Sequence, residues 1–378
     1  MARKEFSLMP RLLFIVNVDW FFLSHRLPLA LAAKEAGFEV HLACAVTDRE
    51  EEIRKHGITL HPLKLDRQSA NPIQAMKLLA SLYRLIQSVA PSVVHLVTIK
   101  PVLIGGLAAR MSRVPRVIAA ISGLGFVFTA TGCIARGRRF LVSALYRLVL
   151  SRKQVRIIFQ NGDDQAVLQR HIKIDDSQIV RIRGSGVDLL AWTVHPLPET
   201  PPIVMMAARL LKDKGVYEFI SAARLLKGYK AARFVMVGGV DGGNPTSLKH
   251  EELEGWLNEG VIEWWGARTD MHVVLPKAHI VVLPSYREGL PKVLVEAAAC
   301  GRAVVTTNVP GCRDAIEPGV SGLLVDVCDA KALAHGIKVL LDDEEQLKAM
   351  GVAGRRLAET TFDLREIVAQ HLKIYQEK

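Results

Sequence analysis

Two glutamates, Glu288 and Glu296, stand with seven residues between them in the stretch YREGLPKVLVEAAACG (286–301). A strand-like apolar run precedes the stretch, and Pro291 suits the first turn of a helix that ends at Gly301. Glu288 would lie on the loop before this helix, and Glu296 nearly two turns inside it. Because the neighbours of Glu296 are almost all apolar, its carboxylate needs buried donors. The hydroxyls of a sugar or of a ribose would supply them.

Two cations flank a predicted strand-to-helix loop in AARLLKDKG (207–215). Arg209 has the planar fork that clamps a phosphate through two hydrogen bonds, and Lys214 supplies a mobile point charge. The second half of the chain has no overall positive charge, so two cations at the end of one strand indicate an anion site.

Backbone groups near these side chains could complete such a site. The free amides at a helix N-terminus bind anions, and here they come from Gly289, Leu290 and the residues next to Pro291. The turn at Gly238 and Gly239 lets another group approach the backbone closely. Because no GxGxxG, GxxxxGK[ST], HExxH or DxD motif is present, a bound diphosphate would have to be neutralised by protein cations without a metal.

The elements that must position these residues alternate between strand-like and helix-like patterns in both halves, which predicts parallel sheets covered by helices. We predict an α/β fold with two Rossmann-like, doubly wound domains facing a central cleft. The Pro-rich run HPLPETPP (195–202) marks the linker, giving a first domain over 1–195 and a second over 196–378. The last helix, about 360–378, could pack back on the first domain.

The charge is unevenly distributed. Residues 1–200 hold 27 Lys and Arg against 15 Asp and Glu, or +12, whereas residues 201–378 hold 22 against 23, or −1. No acidic residue occurs between Asp66 and Asp163. This asymmetry predicts an anionic partner for the first domain.

The basic and apolar segment 133–156 is the candidate contact with an anionic membrane surface. Its apolar side chains could enter the interface while its cations meet headgroups; they are Phe140, Leu141, Leu145 and Leu148, with Arg136, Arg138, Arg139, Arg152 and Lys153. The alternative is an ordinary core stripe of leucines with a solvated basic face. Without a signal-peptide pattern or a spanning segment, the expected location is cytoplasmic, peripheral on the inner face of the membrane.

Two other classes of protein are considered. An epimerase of the same architecture would need proton-transferring side chains in the first domain, but the acid-free span contains only His95 as a candidate. A non-enzymatic nucleic-acid binder would fit the pI of about 9.5. No recognition motif, aromatic stacking platform or basic tail accompanies that charge, so no nucleic acid is expected.

Together these motifs resemble those of the family 4 glycosyltransferases, which are retaining enzymes of GT-B architecture. The likeness spans nearly the whole chain. It rests on the paired glutamates, on Arg209 with Lys214, on GARTDM (266–271) and on SGLLV (321–325), all in the family's order.

By position, the resemblance implies a role for each matching residue. Glu288 would hold the hydroxyls of the donor sugar, and Glu296 the ribose of the nucleotide. Arg209 and Lys214 would bind the diphosphate, and Arg268 would join the substrate contacts.

A closer likeness is to bacterial enzymes that extend polyprenyl-diphosphate-linked sugars, notably N-acetylgalactosaminyltransferases of glycan and O-antigen assembly. It is carried by NVDWFFLSHRLPLA (17–30), VHLVTIKP (94–101), SGLGFVF (122–128) and the run VGGVDGGNP (237–245). This likeness implies a UDP-sugar donor, a lipid-linked acceptor, and retaining chemistry that needs neither a metal nor a cofactor.

Acceptor contacts are expected from the first domain, with Lys100, Arg26, Ser122 and Gly123 as candidates. Many members of the family have a histidine where Ser122 and Gly123 stand. A histidine-dependent role in placing the sugar is therefore not assigned here.

Overall fold

The structure, a computed structural model, contains two compact units. It describes residues 9–65, 71–124, 128, 132–199 and 201–377, with only the backbone at 133 and 134. The first unit comprises the chain up to Ile182 and again from Ile367, and the second comprises Arg183–Glu366.

The first unit contains a seven-stranded parallel sheet in the order β3-β2-β1-β4-β5-β6-β7. Its strands are β1 (Arg11–Val18), β2 (Glu39–Ala45), β3 (Thr59–Pro62), β4 (Val93–Val97), β5 (Arg116–Ile121), β6 (Val155–Phe159) and β7 (Ile179–Arg181). The central strands are buried on both faces, as their continuous apolar runs predict.

Helices cover both faces of this sheet. They are α1 (Asp19–His25), α2 (Leu27–Glu35), α3 (Glu50–Lys55), α4 (Pro72–Val89), α5 (Gly106–Met111), α6 (Cys133–Leu150) and α7 (Gly162–His171). A π-helical turn over Pro101–Gly105 leads into α5. Buried side chains of α4, α5 and α6 share one core cluster, so these three helices lie on the same face.

The second unit contains a six-stranded parallel sheet in the order β10-β9-β8-β11-β12-β13. Its strands are β8 (Ile203–Ala207), β9 (Arg233–Val237), β10 (Glu263–Trp264), β11 (Ile280–Leu283), β12 (Ala303–Thr307) and β13 (Gly322–Val325). Its helices are α8 (Val216–Leu225), α9 (His250–Asn258), α10 (Met271–Val274), α11 (Lys292–Ala299), α12 (Ala330–Asp342) and α13 (Glu344–Thr361). The predicted α/β class with two doubly wound sheets is confirmed.

The chain changes from one unit to the other after Ile182 and again after Glu366. The Pro-rich run 195–202, which was predicted to be the linker, therefore lies inside the second unit. The buried side chain of Arg302 explains why this run stays there. Its guanidinium donates hydrogen bonds to the carbonyl oxygens of His195, Pro196 and Pro276. Three carbonyl acceptors on one buried cation tie the run to its own unit.

The last helix, α14 (Leu364–Gln376), begins in the second unit and ends in the first. Near its end, the hydroxyl of Tyr375 is hydrogen-bonded to Nδ1 of the buried His95. Arg116 donates to the carbonyl oxygens of Ile374 and Tyr375, which satisfies two acceptors left over at the helix end. No helix within the described residues is long and apolar enough to cross a membrane.

Candidate active site

The candidate side chains of the second unit follow neighbouring strands at one edge of its sheet. Arg209 follows β8, Gly239 follows β9, Arg268 follows β10 and Glu288 follows β11. Because these strands are parallel and adjacent in the order β10-β9-β8-β11, the loops after them meet at the same edge. The edge therefore gathers residues that are far apart in the sequence.

Lys214 and Glu288 form an ion pair at this edge, in which the Lys214 ammonium contacts Oε1 of Glu288. The hydroxyl of Ser285 donates to the same oxygen over 2.8 Å. The close approach of the two loops depends on Gly215, which has φ +78°, because a Cβ there would lie 2.1 Å from the carbonyl oxygen of Pro284. The sequence did not single out Ser285, although it stands directly before the Tyr-Arg-Glu run.

The loop that carries Glu288 is held from a second side. The amide of Glu288 donates to the carbonyl oxygen of Pro310 over 3.2 Å. A Cβ on Gly311 would lie 2.6 Å from the Glu288 carbonyl oxygen, so that close approach also requires glycine. Gly289 and Leu290 continue the loop to α11. Pro291 is the N-cap of α11 and not, as predicted, a residue of its first turn.

Glu296 lies on the second turn of α11 and is 7% exposed. Its Oε1 is 3.2 Å from Nζ of Lys292, one turn earlier on the same helix. Burial raises the pKa of Glu296, and the neighbouring Lys292 opposes this rise. The sequence predicted a buried carboxylate here but did not identify Lys292 as its partner.

Arg209 also has a carboxylate partner, since its Nη1 lies 2.9 Å from Oδ2 of Asp241. Two backbone hydrogen bonds, from Lys212 to Thr246 and from Leu248 to Leu210, hold together the loops that carry this pair. Asp241 belongs to the VDGG run, which was interpreted only for its glycines. The acidic residue of this run, Asp241, was not recognised from the sequence as a partner of Arg209.

Glycine at the β9 turn is required at Gly238 and not at Gly239. Gly238 has φ +147°, and a Cβ on it would lie 1.8 Å from the carbonyl oxygen of Ala208, whereas a Cβ on Gly239 would make an ordinary contact. The indole of Trp264 donates to the Gly238 carbonyl oxygen over 2.8 Å. The turn thus lies beside the loop after β10.

Arg268, on that loop after β10, is paired with Asp270. Its Nε donates to Oδ1 of Asp270 over 2.8 Å, and its Nη2 donates to Oδ2 over 2.5 Å. Both groups are partly exposed, so the pair lies at the surface. A role for Arg268 toward substrate stays a prediction.

Three acceptor candidates of the first unit also follow adjacent strands. Lys100 comes shortly after β4, and Ser122 and Gly123 come directly after β5. Thr98, between β4 and Lys100, has φ +77°, and Gly123 has φ +113°, so both segments turn sharply away from the sheet. The rest of the SGLGFVF run lies mostly outside the described residues.

Arg26, the fourth acceptor candidate, is 3% exposed and is not presented at the surface. Its Nη1 donates to the carbonyl oxygen of His25. Burial lowers the pKa of Arg26 to about 10, an effect that the neighbouring Tyr375 of α14 opposes. The pKa values of His95 and His371 are lowered mainly by burial and further by the nearby charge of Arg26. Its position beneath α14 therefore speaks against the predicted acceptor contact.

No group of three or more His, Cys, Asp or Glu side chains is arranged to hold a metal ion within the part of the chain that the structure describes. The cations at the site are supplied by Arg209 and Lys214, each of which already contacts a carboxylate. A bound diphosphate would share these cations with Asp241 and Glu288. The arrangement suits an anion that lies next to hydroxyl groups.

Two parallel-sheet units of this kind are the components of the GT-B architecture. The crystal structure of Anabaena Alr3699/HepE in complex with UDP and glucose is similar, with a TM-score of 0.79 and 17% identity over 97% of this chain and 99% of that chain. Two family models match, namely Glycosyl transferases group 1 over residues 193–357 and Glycosyl transferase 4-like over residues 11–161.

The chain is 31% identical to the N,N'-diacetylbacillosaminyl-diphospho-undecaprenol alpha-1,3-N-acetylgalactosaminyltransferase of Campylobacter jejuni, over 94% of this chain and 97% of the relative. It is also 25% identical to the UDP-Gal:alpha-D-GlcNAc-diphosphoundecaprenol alpha-1,3-galactosyltransferase of Escherichia coli, over 72% of each chain. The chain therefore belongs to the group 1 glycosyl transferases. The family resemblance inferred from its motifs is confirmed.

Proposed function

We propose that this glycosyltransferase moves an N-acetylhexosamine, such as N-acetylgalactosamine, from a UDP-sugar to a polyprenyl-diphosphate-linked saccharide in cell-surface glycan assembly. The observation that carries the donor assignment is the cluster at the sheet edge of the second unit. There Lys214 contacts Glu288, and Ser285 supports the same carboxylate. The acceptor class is supported by the printed activity of the Campylobacter relative, which this chain matches along almost its full length.

The proposed transfer retains the configuration at C1 of the sugar. The bond from C1 to the diphosphate oxygen breaks, and the acceptor oxygen bonds to C1 from the same face. The acceptor proton passes to an oxygen of the departing UDP, so no protein base is required. The chain contributes positioning and stabilisation of the charge that develops on the diphosphate. Arg209, Lys214 and the amides before α11 supply that stabilisation without a metal.

A reconstitution assay tests the proposed function. Purified protein is incubated with UDP-N-acetylgalactosamine and a polyprenyl-diphosphate-linked saccharide, and UDP release and the anomeric configuration of the product are followed by NMR. Acceptor-dependent UDP release with an α-linked product is expected. Conversion of the UDP-sugar without acceptor would indicate an epimerase, and a β-linked product would contradict retention.

Three neighbouring helices on one face of the first unit support work at a membrane surface. The helix α5 packs between α4 and α6 on one face of the sheet. Of the eight large apolar side chains of this unit that are exposed among the described residues, seven lie on these three helices. They are Ile73, Met76 and Tyr83 on α4, Met111 on α5, and Phe140, Leu141 and Leu148 on α6. The whole sequence span that forms this face lacks acidic residues.

The helix α6 carries the basic part of this face. Phe140 is 80% exposed, and the exposure of Leu141 (61%) and Leu148 (41%) argues against the alternative that these leucines form a core stripe. Leu145 differs, since it is partly buried and packs on the core as the alternative predicted. Arg136 and Arg139 line a cavity of about 270 Å³ that could receive a phosphate headgroup.

Charge reversal on α6 should weaken binding to membranes. We expect the parent protein to float with vesicles that contain anionic lipid and to release them as salt rises, because each basic side chain near such a surface contributes about 1 kcal/mol. The variant in which Arg136, Arg138 and Arg139 become Glu should lose most of this binding and keep its affinity for UDP. Phe140→Ser should weaken flotation independently of salt.

The matched control reverses three exposed basic residues of the second unit, in the variant Lys331→Glu, Lys348→Glu, Arg356→Glu. It changes the net charge by the same amount and should float like the parent. Equal flotation of the parent on neutral and anionic vesicles, or an equal loss in both triple variants, would contradict the assignment to α6.

A further inference from the structure

We infer that Lys292 is a positioning residue of the donor site, which keeps the carboxylate of Glu296 ionised and oriented for the ribose hydroxyls. This inference rests on the proposed function, in which Glu296 contacts the ribose of a UDP-sugar. Its basis is the ion pair between Nζ of Lys292 and Oε1 of Glu296 on successive turns of α11.

Helix stability does not account for a lysine at this position. Lys292 is the first residue of α11. A cation there faces the positive end of the helix dipole, which is unfavourable. In an i,i+4 pair, moreover, Lys before Glu is the less stabilising order. The lysine is therefore placed against both local preferences, which directs attention to its contact with Glu296.

Glu296 needs such a contact because its surroundings disfavour a charge. The residues next to it on α11 are apolar and buried, and burial raises the pKa of its carboxyl group. Lys292 lowers that pKa by attraction and by a hydrogen bond. A carboxylate accepts a hydrogen bond at each oxygen, whereas its protonated form has one O–H donor in place of an acceptor. Two ribose hydroxyls that both donate therefore require the ionised form.

Several other titratable or charged groups lie around α11, and those with described contacts are held by partners other than Glu296. Arg302, which precedes β12, donates to three carbonyl oxygens. Arg355, from α13, donates to the carbonyl oxygens of Trp192 and Ala299 and pairs with Glu359. Glu288, on the loop before α11, is paired with Lys214 from the loop after β8. Cys300, at the end of α11, has a pKa raised to about 12 mainly by burial, and its thiol stays neutral.

The test is the affinity for UDP as a function of pH, measured by calorimetry for the parent, Lys292→Met and Lys292→Arg. The terminal phosphate of UDP itself titrates near pH 6, so the ratio of variant to parent Kd is compared at each pH. Without the lysine, the pKa of Glu296 rises further, and the protonated form then persists to higher pH. We expect Lys292→Met to bind UDP more weakly than the parent, with a ratio of Kd values that grows as the pH falls and reaches about tenfold for each unit of pKa shift once the pH is below both pKa values.

This deficit should disappear by about pH 9, where the carboxyl group ionises without help, and Lys292→Arg should bind like the parent throughout. In the Glu296→Gln background, Lys292→Met should cause no further loss. A pH-independent loss, or a loss that persists in that background, would show that Lys292 contacts the diphosphate directly or serves only the fold, and would overturn the inference.

Lys348→Met is the matched control, because it removes a surface i,i+4 pair with Glu344 elsewhere in the same unit. It should leave the affinity for UDP unchanged at every pH. Failure of the parent itself to bind UDP would contradict the proposed function. A parent that binds UDP together with a Lys292→Met variant that matches it at every pH would contradict this inference alone.

Discussion

Replacement of Arg209 or of Lys214 by Ala is expected to lower kcat by roughly 10²–10³-fold, the scale for removing one preorganised group that stabilises developing charge. Both side chains are already held at the sheet edge, Arg209 by Asp241 and Lys214 by Glu288. They are therefore placed before the donor binds, and little reorganisation is needed as the diphosphate leaves. Steady-state kinetics with the lipid-linked acceptor measures the effect.

The same experiment tests the metal-free mechanism. If these two cations neutralise the diphosphate, activity should survive EDTA. Arg224→Ala is a suitable control, because it removes an exposed arginine of the same unit that is paired with Glu259. It should leave kcat unchanged. Activity that is lost in EDTA and restored by Mn²⁺ or Mg²⁺ would contradict the metal-free mechanism. A loss of kcat in Arg224→Ala equal to that in the Arg209 and Lys214 variants would contradict the roles assigned to those two residues.

The two glutamates should separate binding from transfer. Glu288→Gln is expected to reduce transfer strongly while the affinity for free UDP stays close to that of the parent, because UDP has no sugar for Glu288 to hold. Glu296→Gln is expected to weaken the binding of UDP by about tenfold or more, since a hydrogen bond to a charged group contributes roughly 1.5–3 kcal/mol. Calorimetry with UDP and initial rates of transfer measure the two effects separately.

Each replacement preserves the shape of the side chain and removes the charge. In the Glu288→Gln variant, Ser285 could still donate to the side-chain amide oxygen that replaces the carboxylate, so the loop should keep its position. Unchanged thermal stability of both variants is the control for folding. The proposed division of roles between the two glutamates is wrong if both variants bind UDP like the parent. It is also wrong if Glu288→Gln lowers the affinity for UDP as much as Glu296→Gln does.

The amino-acid sequence by itself determined the class of fold and indicated the main candidate residues of a donor site. Long apolar runs rich in Val and Ile, such as 12–18 and Ile280–Leu283, predict buried parallel strands because every side chain in them is compatible with burial. The two glutamates and the cations after β8 stood out because their surroundings do not explain a charge. These signals depend only on residues close in the sequence, so they can be recognised without the tertiary structure.

Three short strands at the edges of the sheets were not predicted, because their sequences do not define them. The strands β3, β7 and β13 have only three or four residues each, and none was predicted as a strand from its sequence. They exist because each pairs with a longer strand that is already in place. The hydrogen bonds that define them come from a neighbour in space.

Only the tertiary structure decided the partners of the charged residues. The pair of Lys214 and Glu288 joins residues 74 positions apart, and that of Arg209 and Asp241 joins residues 32 positions apart. Arg26 appeared to be a surface contact until α14, from the opposite end of the chain, placed Tyr375 beside it. Whether a cation faces a ligand or a protein carboxylate depends on which loops the strand order brings together. A linear pattern contains no information on that order.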